Sequence, residues 1–185
     1  MSKILAFAGS LREHSYSKRV LNIAVEGARE ADADVTVIDL RDYPMPVFNS
    51  DECEEKFDEN ALRFQDVCNE HDGFLIASPE YNGSLPGGLK NAIDWASRAN
   101  DKYGMYQVFK GKTAAMITAS PGSFGGLRCL NHLRGVLTIM GIWVLPSEIA
   151  VSFVAAKFDG DSSEMTDEKM KTVLKKHGAS LVEAL

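Results

Sequence analysis

Three stretches rich in serine, glycine, proline and asparagine each follow an apolar run and precede an amphipathic segment. The first, at 9–18, contains Ser10, Arg12, Ser15 and Ser17. Hydroxyls, a guanidinium and the free N–H groups that open a following helix form a donor set suited to a phosphate. The spacing matches neither the G-x-G-x-x-G dinucleotide motif nor a G-x-x-x-x-G-K-S/T P-loop. The stretch therefore predicts a phosphate site of another type, with a simple serine N-cap as the competing interpretation.

The second stretch, at 78–95, is long for a connection between a strand and a helix, which usually takes 2–6 residues. Its glycines and asparagines tolerate strained backbone and carry little bulk, so main-chain groups can approach a ligand closely. A flat heteroaromatic ring suits such a surface. The third stretch, at 119–128, is again rich in glycine and leads into another helical pattern. Three loops of one character at one sheet edge indicate a shared ligand site.

Short apolar runs alternate with amphipathic segments along the whole chain. The pattern predicts strands at 4–8, 35–40, 73–77, 113–119 and 142–145, and helices at 15–30, 54–70, 86–98, 127–140 and 166–185. Pro86 suits the first turn of its helix, and 157–165 is expected to be a solvated loop. Alternating strands and helices imply right-handed crossovers and an open α/β parallel sheet covered on both faces. In such a sheet, ligands bind at the carboxyl ends of the strands, where the three loops lie.

Length and composition fit one soluble domain spanning residues 1–185. The net charge of -6 argues against nucleic acid or an anionic membrane as the main partner. Cys53, Cys68 and Cys129 are widely spaced and form no C-x-x-C motif, which suits a reducing compartment. The apolar run near the amino terminus is too short for a signal peptide, and no run approaches 18 apolar residues. We therefore expect a cytoplasmic protein.

Other chemistries receive little support from the residues. Cys129 and His132 are spaced to touch on one helix, but no third group is placed to orient them as a nucleophile and base. The run 122–125 lacks the first glycine of a hydrolase G-x-S-x-G motif. The four histidines have no paired spacing typical of metal ligands. We assign no catalytic side chain and no metal site.

Gly9-Ser10-Leu11-Arg12 with Ser15, and the run from Pro79-Glu80-Tyr81-Asn82 through Pro86-Gly87-Gly88-Leu89-Lys90-Asn91-Ala92-Ile93-Asp94-Trp95, resemble the NADPH-dependent FMN reductase family. The resemblance extends from Lys3 to about Leu145 and is greatest to the bacterial chromate and quinone reductase branch. It includes the Gly-Gly-x-Arg-Cys-x-x-His-Leu-Arg stretch at 125–134. The family's fold is flavodoxin-like, so the resemblance implies a five-stranded, doubly wound sheet in the order 2-1-3-4-5.

The resemblance also implies a cofactor and the residues that bind it. It places the FMN phosphate on Ser10, Arg12, Ser15 and Ser17, although many relatives have asparagine where this chain has Ser17. It places Pro79, Glu80, Tyr81, Asn82 and Gly83 against the isoalloxazine and ribityl chain, with Ser120, Gly122 and Ser123 on the other side. NADPH or NADH would be the co-substrate, and the cofactor would lie at the interface of a homodimer or homotetramer.

The implied activity is electron transfer from NAD(P)H through bound FMN to small-molecule acceptors: quinones, azo compounds, chromate or free flavin. A single site used in turn by donor and acceptor predicts ping-pong kinetics. Four cations are candidates for a 2′-phosphate contact: Arg12, Lys102, Arg128 and Arg134. The alternative is a flavodoxin-type FMN carrier that serves a protein partner, although such carriers usually open their phosphate loop with a threonine- and glycine-rich run. A receiver domain would need acidic residues at strand ends where this chain has Gly9-Ser10 and Ser78-Pro79.

Overall fold

The computed structural model describes residues 1–160 and 164–185. Strands in these ranges are β1 (Lys3–Ala8), β2 (Asp34–Asp39), β3 (Gly73–Pro79), β4 (Thr113–Ala119), β5 (Trp143–Val144) and β6 (Ile149–Val151). The α-helices are α1 (Tyr16–Glu30), α2 (Ser50–Glu55), α3 (Glu59–Asn69), α4 (Gly87–Ala96), α5 (Leu127–Ile139) and α6 (Glu168–Glu183). Short 3₁₀ turns follow β2 and β6 at Leu40–Asp42 and Val154–Lys157.

The strands form one parallel sheet in the order β2-β1-β3-β4-β5. This confirms the doubly wound α/β fold and the strand order 2-1-3-4-5. The central strands β1, β3 and β4 are almost completely buried, as expected for strands covered on both faces. Apart from Lys3 at the start of β1, each is an unbroken run of apolar or small residues, which is the pattern that makes them recognisable in the sequence.

The last position of the sheet is divided between two short strands. β5 pairs with the start of β4, where Thr113 lies opposite Trp143, and β6 pairs with its end, where Ala119 lies opposite Val151. Pro146 lies between them and has no N–H to donate to a ladder. The strand expected at 142–145 is therefore only Trp143–Val144, and β6 is an addition that the apolar pattern did not reveal.

Helices cover both faces of the sheet. α1 and α6 pack on one face, and α3, α4 and α5 pack on the other. The α1–α6 contact depends on two glycines: a Cβ at Gly27 would lie 2.0 Å from the Lys175 carbonyl oxygen, and one at Gly178 would lie 1.9 Å from the Ala24 carbonyl oxygen. The two helix backbones therefore touch. No helix within residues 1–160 and 164–185 combines the length and apolar character needed to cross a bilayer.

The helix expected at 54–70 is instead two helices, α2 and α3. Phe57 lies in the break, and its ring packs edge-on against Trp95 at 5.4 Å between centroids. Asp58 then opens α3, because its Oδ1 accepts the N–H groups of Asn60 and Ala61 at 2.9 and 3.0 Å. The segment has the periodicity of one helix, but the contact of Phe57 with Trp95 and the N-cap at Asp58 divide it into two.

Smaller differences concern the start of other elements. Pro86 is the N-cap residue of α4 and not part of its first turn, and Asp167 is the N-cap of α6. The expected solvated loop at 157–165 contains two buried residues, Phe158 and Met165, which form an antiparallel bridge. The part of that loop at 161–163 lies outside the described residues.

Candidate functional site

The three predicted loops begin on adjacent strands at one edge of the sheet. Ala8 lies opposite Ala77, and Pro79 lies opposite Ala119. Because neighbouring strands are about 4.8 Å apart, the loops after β1, β3 and β4 start within about 10 Å of one another. We call them the first loop (9–15), the second loop (80–86) and the third loop (120–126). The structure therefore brings together the three groups of predicted site residues.

The first loop contains buried hydroxyls next to an exposed cation. Ser10, Ser15 and Ser17 are 1%, 4% and 1% exposed, whereas Arg12 is exposed. Ser15 is the N-cap of α1, and its Oγ accepts the Ser17 N–H at 3.2 Å. Ser10 Oγ accepts the Arg12 N–H at 3.3 Å. The capping interpretation is correct for Ser15, yet its hydroxyl proton and the other N–H groups of the first turn stay available to an anion.

The second loop contains a tight turn. Tyr81 and Ser84 exchange two backbone hydrogen bonds of 2.9 and 3.1 Å. Asn82 and Gly83 between them have φ of 52° and 79°, the left-handed conformation that a type I′ turn needs at both central positions. Asn-Gly is the dipeptide best suited to this turn, so these residue types are explained by local geometry. The turn leaves Tyr81 45% exposed at the edge of the sheet.

The Glu80 carboxylate is directed to the start of α5. Its Oε2 accepts the Cys129 N–H at 3.1 Å, and its Oε1 lies 3.4 Å from Arg128 Nη1. Cys129 Sγ donates to Ser78 Oγ at 3.4 Å, and His132 Nδ1 lies 2.9 Å from a second-loop hydroxyl, Ser84 Oγ. Cys129 and His132 therefore contact different partners. Burial raises the pKa of the Cys129 thiol, which keeps it protonated at neutral pH and unsuited to act as a nucleophile.

The third loop is supported from the end of the sheet. Gly122 O accepts the Phe153 N–H at 3.2 Å, and the Ser120 carbonyl accepts the Val154 N–H at 3.1 Å. Gly126 precedes α5 with φ of 93°, and a Cβ there would lie 2.7 Å from Thr118 Cβ. The bonds from Phe153 and Val154 come from the residues just after β6, a strand that no pattern in the sequence predicts.

Two of the four candidate cations lie at this edge. Arg128 is in the first turn of α5, with its guanidinium 4.8 Å from the centroid of the exposed Phe124 ring. Arg12 is in the first loop. Lys102 is paired with Asp66 at 2.7 Å, and Arg134 bonds the carbonyl oxygens of residues 144 and 145 as well as a glutamate. Arg12 and Arg128 are therefore the candidates that face the loops. Phe124 is a further candidate site residue. No motif in the sequence indicates it, and only its exposure in the structure does.

The whole-chain comparisons identify the family. The family model described as NADPH-dependent FMN reductase matches residues 2–156. The chain belongs to this family. An NAD(P)H-dependent FMN reductase of Pseudomonas aeruginosa is 35% identical over 173 residues, covering 93% of this chain and 89% of that protein. A quinone reductase of Escherichia coli is 33% identical over 171 residues, covering 90% and 86%.

Solved structures agree with this assignment. FerB, a flavoenzyme NAD(P)H:(acceptor) oxidoreductase from Paracoccus denitrificans, is 30% identical with a TM-score of 0.83, covering 99% of this chain and 96% of that one. An archaeal flavodoxin with 14% identity and a TM-score of 0.64 shares the fold alone. The family resemblance is confirmed: the protein is an FMN-dependent NAD(P)H oxidoreductase.

The chemistry of the three loops fits the cofactor of this reductase family. A phosphate favours N–H and O–H donors over carboxylates, and α1 has serine at its N-cap and no acidic residue in its first turn. Glu13, the acidic residue of the first loop, is exposed. The second and third loops offer main-chain groups and exposed rings on the side of β3 and β4. Among residues 1–160 and 164–185, no group of three histidine, cysteine or acidic side chains is arranged to hold a metal ion.

Proposed function

We propose that the three loops form the FMN site of this reductase. The phosphate binds the first loop and the first turn of α1, and the isoalloxazine lies between the second and third loops. The residues assigned to the phosphate are Ser10, Arg12, Ser15 and Ser17, and those assigned to the ring and ribityl chain are Pro79, Glu80, Tyr81, Asn82, Gly83, Ser120, Gly122 and Ser123. The observation that carries this proposal is the convergence of all three loops at one edge of the sheet.

Within this site the side chains have different tasks. Ser10, Ser15 and Ser17 are buried, so their hydroxyls are fixed in place before a phosphate binds. Arg12 is exposed and supplies the countercharge. The Asn82-Gly83 turn presents main-chain groups to the ring at little steric cost. Glu80 contributes its backbone, since its carboxylate is already bonded to α5.

When bound, FMN would supply the redox chemistry, namely uptake of a hydride from the nicotinamide and return of two electrons to the acceptor. The chain's task is to stabilise the negative charge that reduction brings to the ring. In the third loop, the N–H groups of Ser120 and Gly122 are bonded to Val151 O and Ser120 Oγ. The N–H of Ser123 has no bond to another described residue, so we assign this stabilising contact to Ser123.

Quinones are the acceptors we propose first, because several relatives that match most of this chain are quinone reductases. Azo compounds, chromate and free flavin extend the same proposal, since an open site that binds flat or diffusible oxidants needs no side-chain acid. We also propose one FMN-binding domain over residues 1–185, a homodimer or homotetramer that covers the exposed edge, and a cytoplasmic location. Three free cysteines suit a reducing compartment.

The first experiment mixes the FMN-loaded protein anaerobically with excess NADPH or NADH in a stopped-flow instrument. We expect rapid bleaching of the visible flavin absorbance band, followed by its recovery when a quinone is added. Bleaching without recovery by any of the four acceptor classes would refute the proposed acceptors. No bleaching with either nicotinamide would indicate a flavin carrier whose electron donor is another protein.

Steady-state kinetics tests the order of the two half-reactions. If donor and acceptor use one site in turn, initial-rate lines at several fixed quinone concentrations are parallel in a double-reciprocal plot. Intersecting lines would require both substrates to bind together and would contradict the ping-pong mechanism. The comparison of NADPH with NADH in the same experiment measures the preference that the sequence leaves open.

A further inference from the structure

Helix α5 begins without an N-cap side chain of its own. Its N-cap residue is Gly126, which has no side chain to accept the N–H groups of the first turn. Glu80 supplies this acceptor from the second loop, with Oε2 3.1 Å from the Cys129 nitrogen. The Glu80 side chain is only 13% exposed, and its other oxygen faces Arg128 at 3.4 Å. The second loop therefore supplies the cap of α5.

Further contacts hold the second loop to the same helix. His132 Nδ1 lies 2.9 Å from Ser84 Oγ, at the far end of the Tyr81–Ser84 turn. Arg128 Cδ lies 3.6 Å from where a Cβ at Gly83 would be. The turn's own backbone bonds fix its shape but not its position. Its position is set by α5, which holds the chain on both sides of the turn.

The third loop ends where α5 begins, at Gly126. A helix that holds the second loop and continues directly from the third loop fixes the distance between them. We infer that Glu80 is a positioning residue that sets the separation of the two loops, a role that rests on the proposed FMN site between them. Both carboxylate oxygens are engaged with α5, so Glu80 does not exchange protons with a substrate.

The charge of Glu80 has a second consequence at this edge. α1 and α5 both begin at the carboxyl ends of central strands, so both N-termini attract anions. At α5 the Glu80 carboxylate occupies the first turn, whereas α1 has a neutral serine N-cap and no acidic residue in its first turn. The N-terminus of α1 is therefore open to the phosphate of a nucleotide, whereas that of α5 is already occupied by Glu80 and its ion pair with Arg128.

The test compares Glu80→Ala, Glu80→Gln and Asp58→Ala. Asp58 is a matched control, because it caps α3 through two N–H groups and belongs to none of the three loops. FMN affinity is measured by quenching of flavin fluorescence, ring geometry by visible circular dichroism of the bound flavin, and stability by thermal unfolding. We expect Glu80→Ala to weaken FMN binding about tenfold and to change the dichroism. Glu80→Gln retains an oxygen acceptor and should stay within about threefold of the wild type.

Asp58→Ala should lower the melting temperature and leave FMN affinity and dichroism unchanged. If Glu80→Ala also lowers only the melting temperature, Glu80 is merely a helix cap and the inference is wrong. If the wild-type protein fails to bind FMN, the proposed site itself is wrong, which is a separate result.

If Glu80→Ala does not fold, a double-mutant cycle on Ser84→Ala and His132→Ala tests the same connection. We expect each single variant to weaken FMN binding by about two- to fivefold. The double variant should bind FMN as tightly as the single variant with the lower affinity. Fully multiplicative losses would show that the two side chains act independently, and would overturn the positioning role of α5.

Discussion

Replacing Thr118 by valine should stabilise the protein. Within residues 1–160 and 164–185, Thr118 Oγ1 is a buried side-chain oxygen with no hydrogen-bond partner. It lies on β4 beneath the start of α5, and the residue is fully buried. An unsatisfied buried hydroxyl costs about 1–3 kcal/mol, and a methyl in its place buries apolar area worth about 0.8 kcal/mol. The close approach of Gly126 offsets part of this gain, so we expect a net stabilisation of about 1–2 kcal/mol.

The assay is denaturant unfolding at saturating FMN, so that cofactor linkage is equal in both proteins. For a chain of this length the expected gain corresponds to an increase in melting temperature of about 2–8 °C. Ser78→Ala is the matched control, because Ser78 lies opposite Thr118 on β3 and is equally buried. Its hydroxyl is satisfied, donating to Pro79 O at 2.9 Å and accepting from Cys129 Sγ. Ser78→Ala should therefore destabilise. A Thr118→Val variant that loses stability would refute the reasoning, since the hydroxyl must then have a partner.

Three further predictions test other parts of the molecule. Gly178→Ala should destabilise the protein by about 3 kcal/mol or more, because the added Cβ would lie 1.9 Å from Ala24 O. The atom in its way belongs to a helix backbone, which cannot move aside as a side chain can. An unchanged denaturant midpoint would contradict the α1–α6 contact. Burial lowers the pKa of His177 below its usual 6.5, so the unfolded chain binds more protons, and stability falls as pH drops below 6.5. His177→Gln should flatten the unfolding free energy between pH 7 and pH 5, and equal slopes in the two proteins would exclude this role. Arg12→Ala should weaken FMN retention by about tenfold or more, measured as flavin per purified chain, and unchanged stoichiometry would remove Arg12 from the phosphate site.

The sequence predicts correctly those elements that a pattern of neighbouring residues reveals. β4 was predicted at 113–119 and is found there, because a strand buried on both faces is a continuous apolar run. β6 was not predicted, because three residues carry no periodicity and its pairing depends on where the chain returns after Pro146. The break between α2 and α3 was missed for a related reason. Phe57 fits a helical period, and only the distant Trp95 ring explains why it lies outside a helix.

The candidate site shows the same division. Loop positions follow from strand order, so the serines after β1 and the glycines and asparagines after β3 are expected at this edge of the sheet. The tight turn at Asn82-Gly83 is a finding of the structure. The direction in which a side chain points could not be predicted from the sequence. The family motif assigns Glu80 to the ring, but its carboxylate bonds to α5, which begins 47 residues later at Leu127 and is separated from Glu80 by a full crossover. Such a contact depends on packing between elements, which no local pattern encodes.

The position of the cations explains how an acidic protein can use an anionic nucleotide. A net charge of -6 repels NADPH at long range, but that repulsion is screened beyond about 8 Å at physiological ionic strength. Close to the sheet edge, local groups decide binding. Lys102 and Arg134 are held in ion pairs with Asp66 and Glu148. Arg128 pairs with Glu80 at 3.4 Å, and Arg12 lies in the first loop, close to the N–H groups that open α1. If the nucleotide binds at the proposed site, we therefore expect its selectivity to come from short-range contacts in these loops and not from the overall field of the protein.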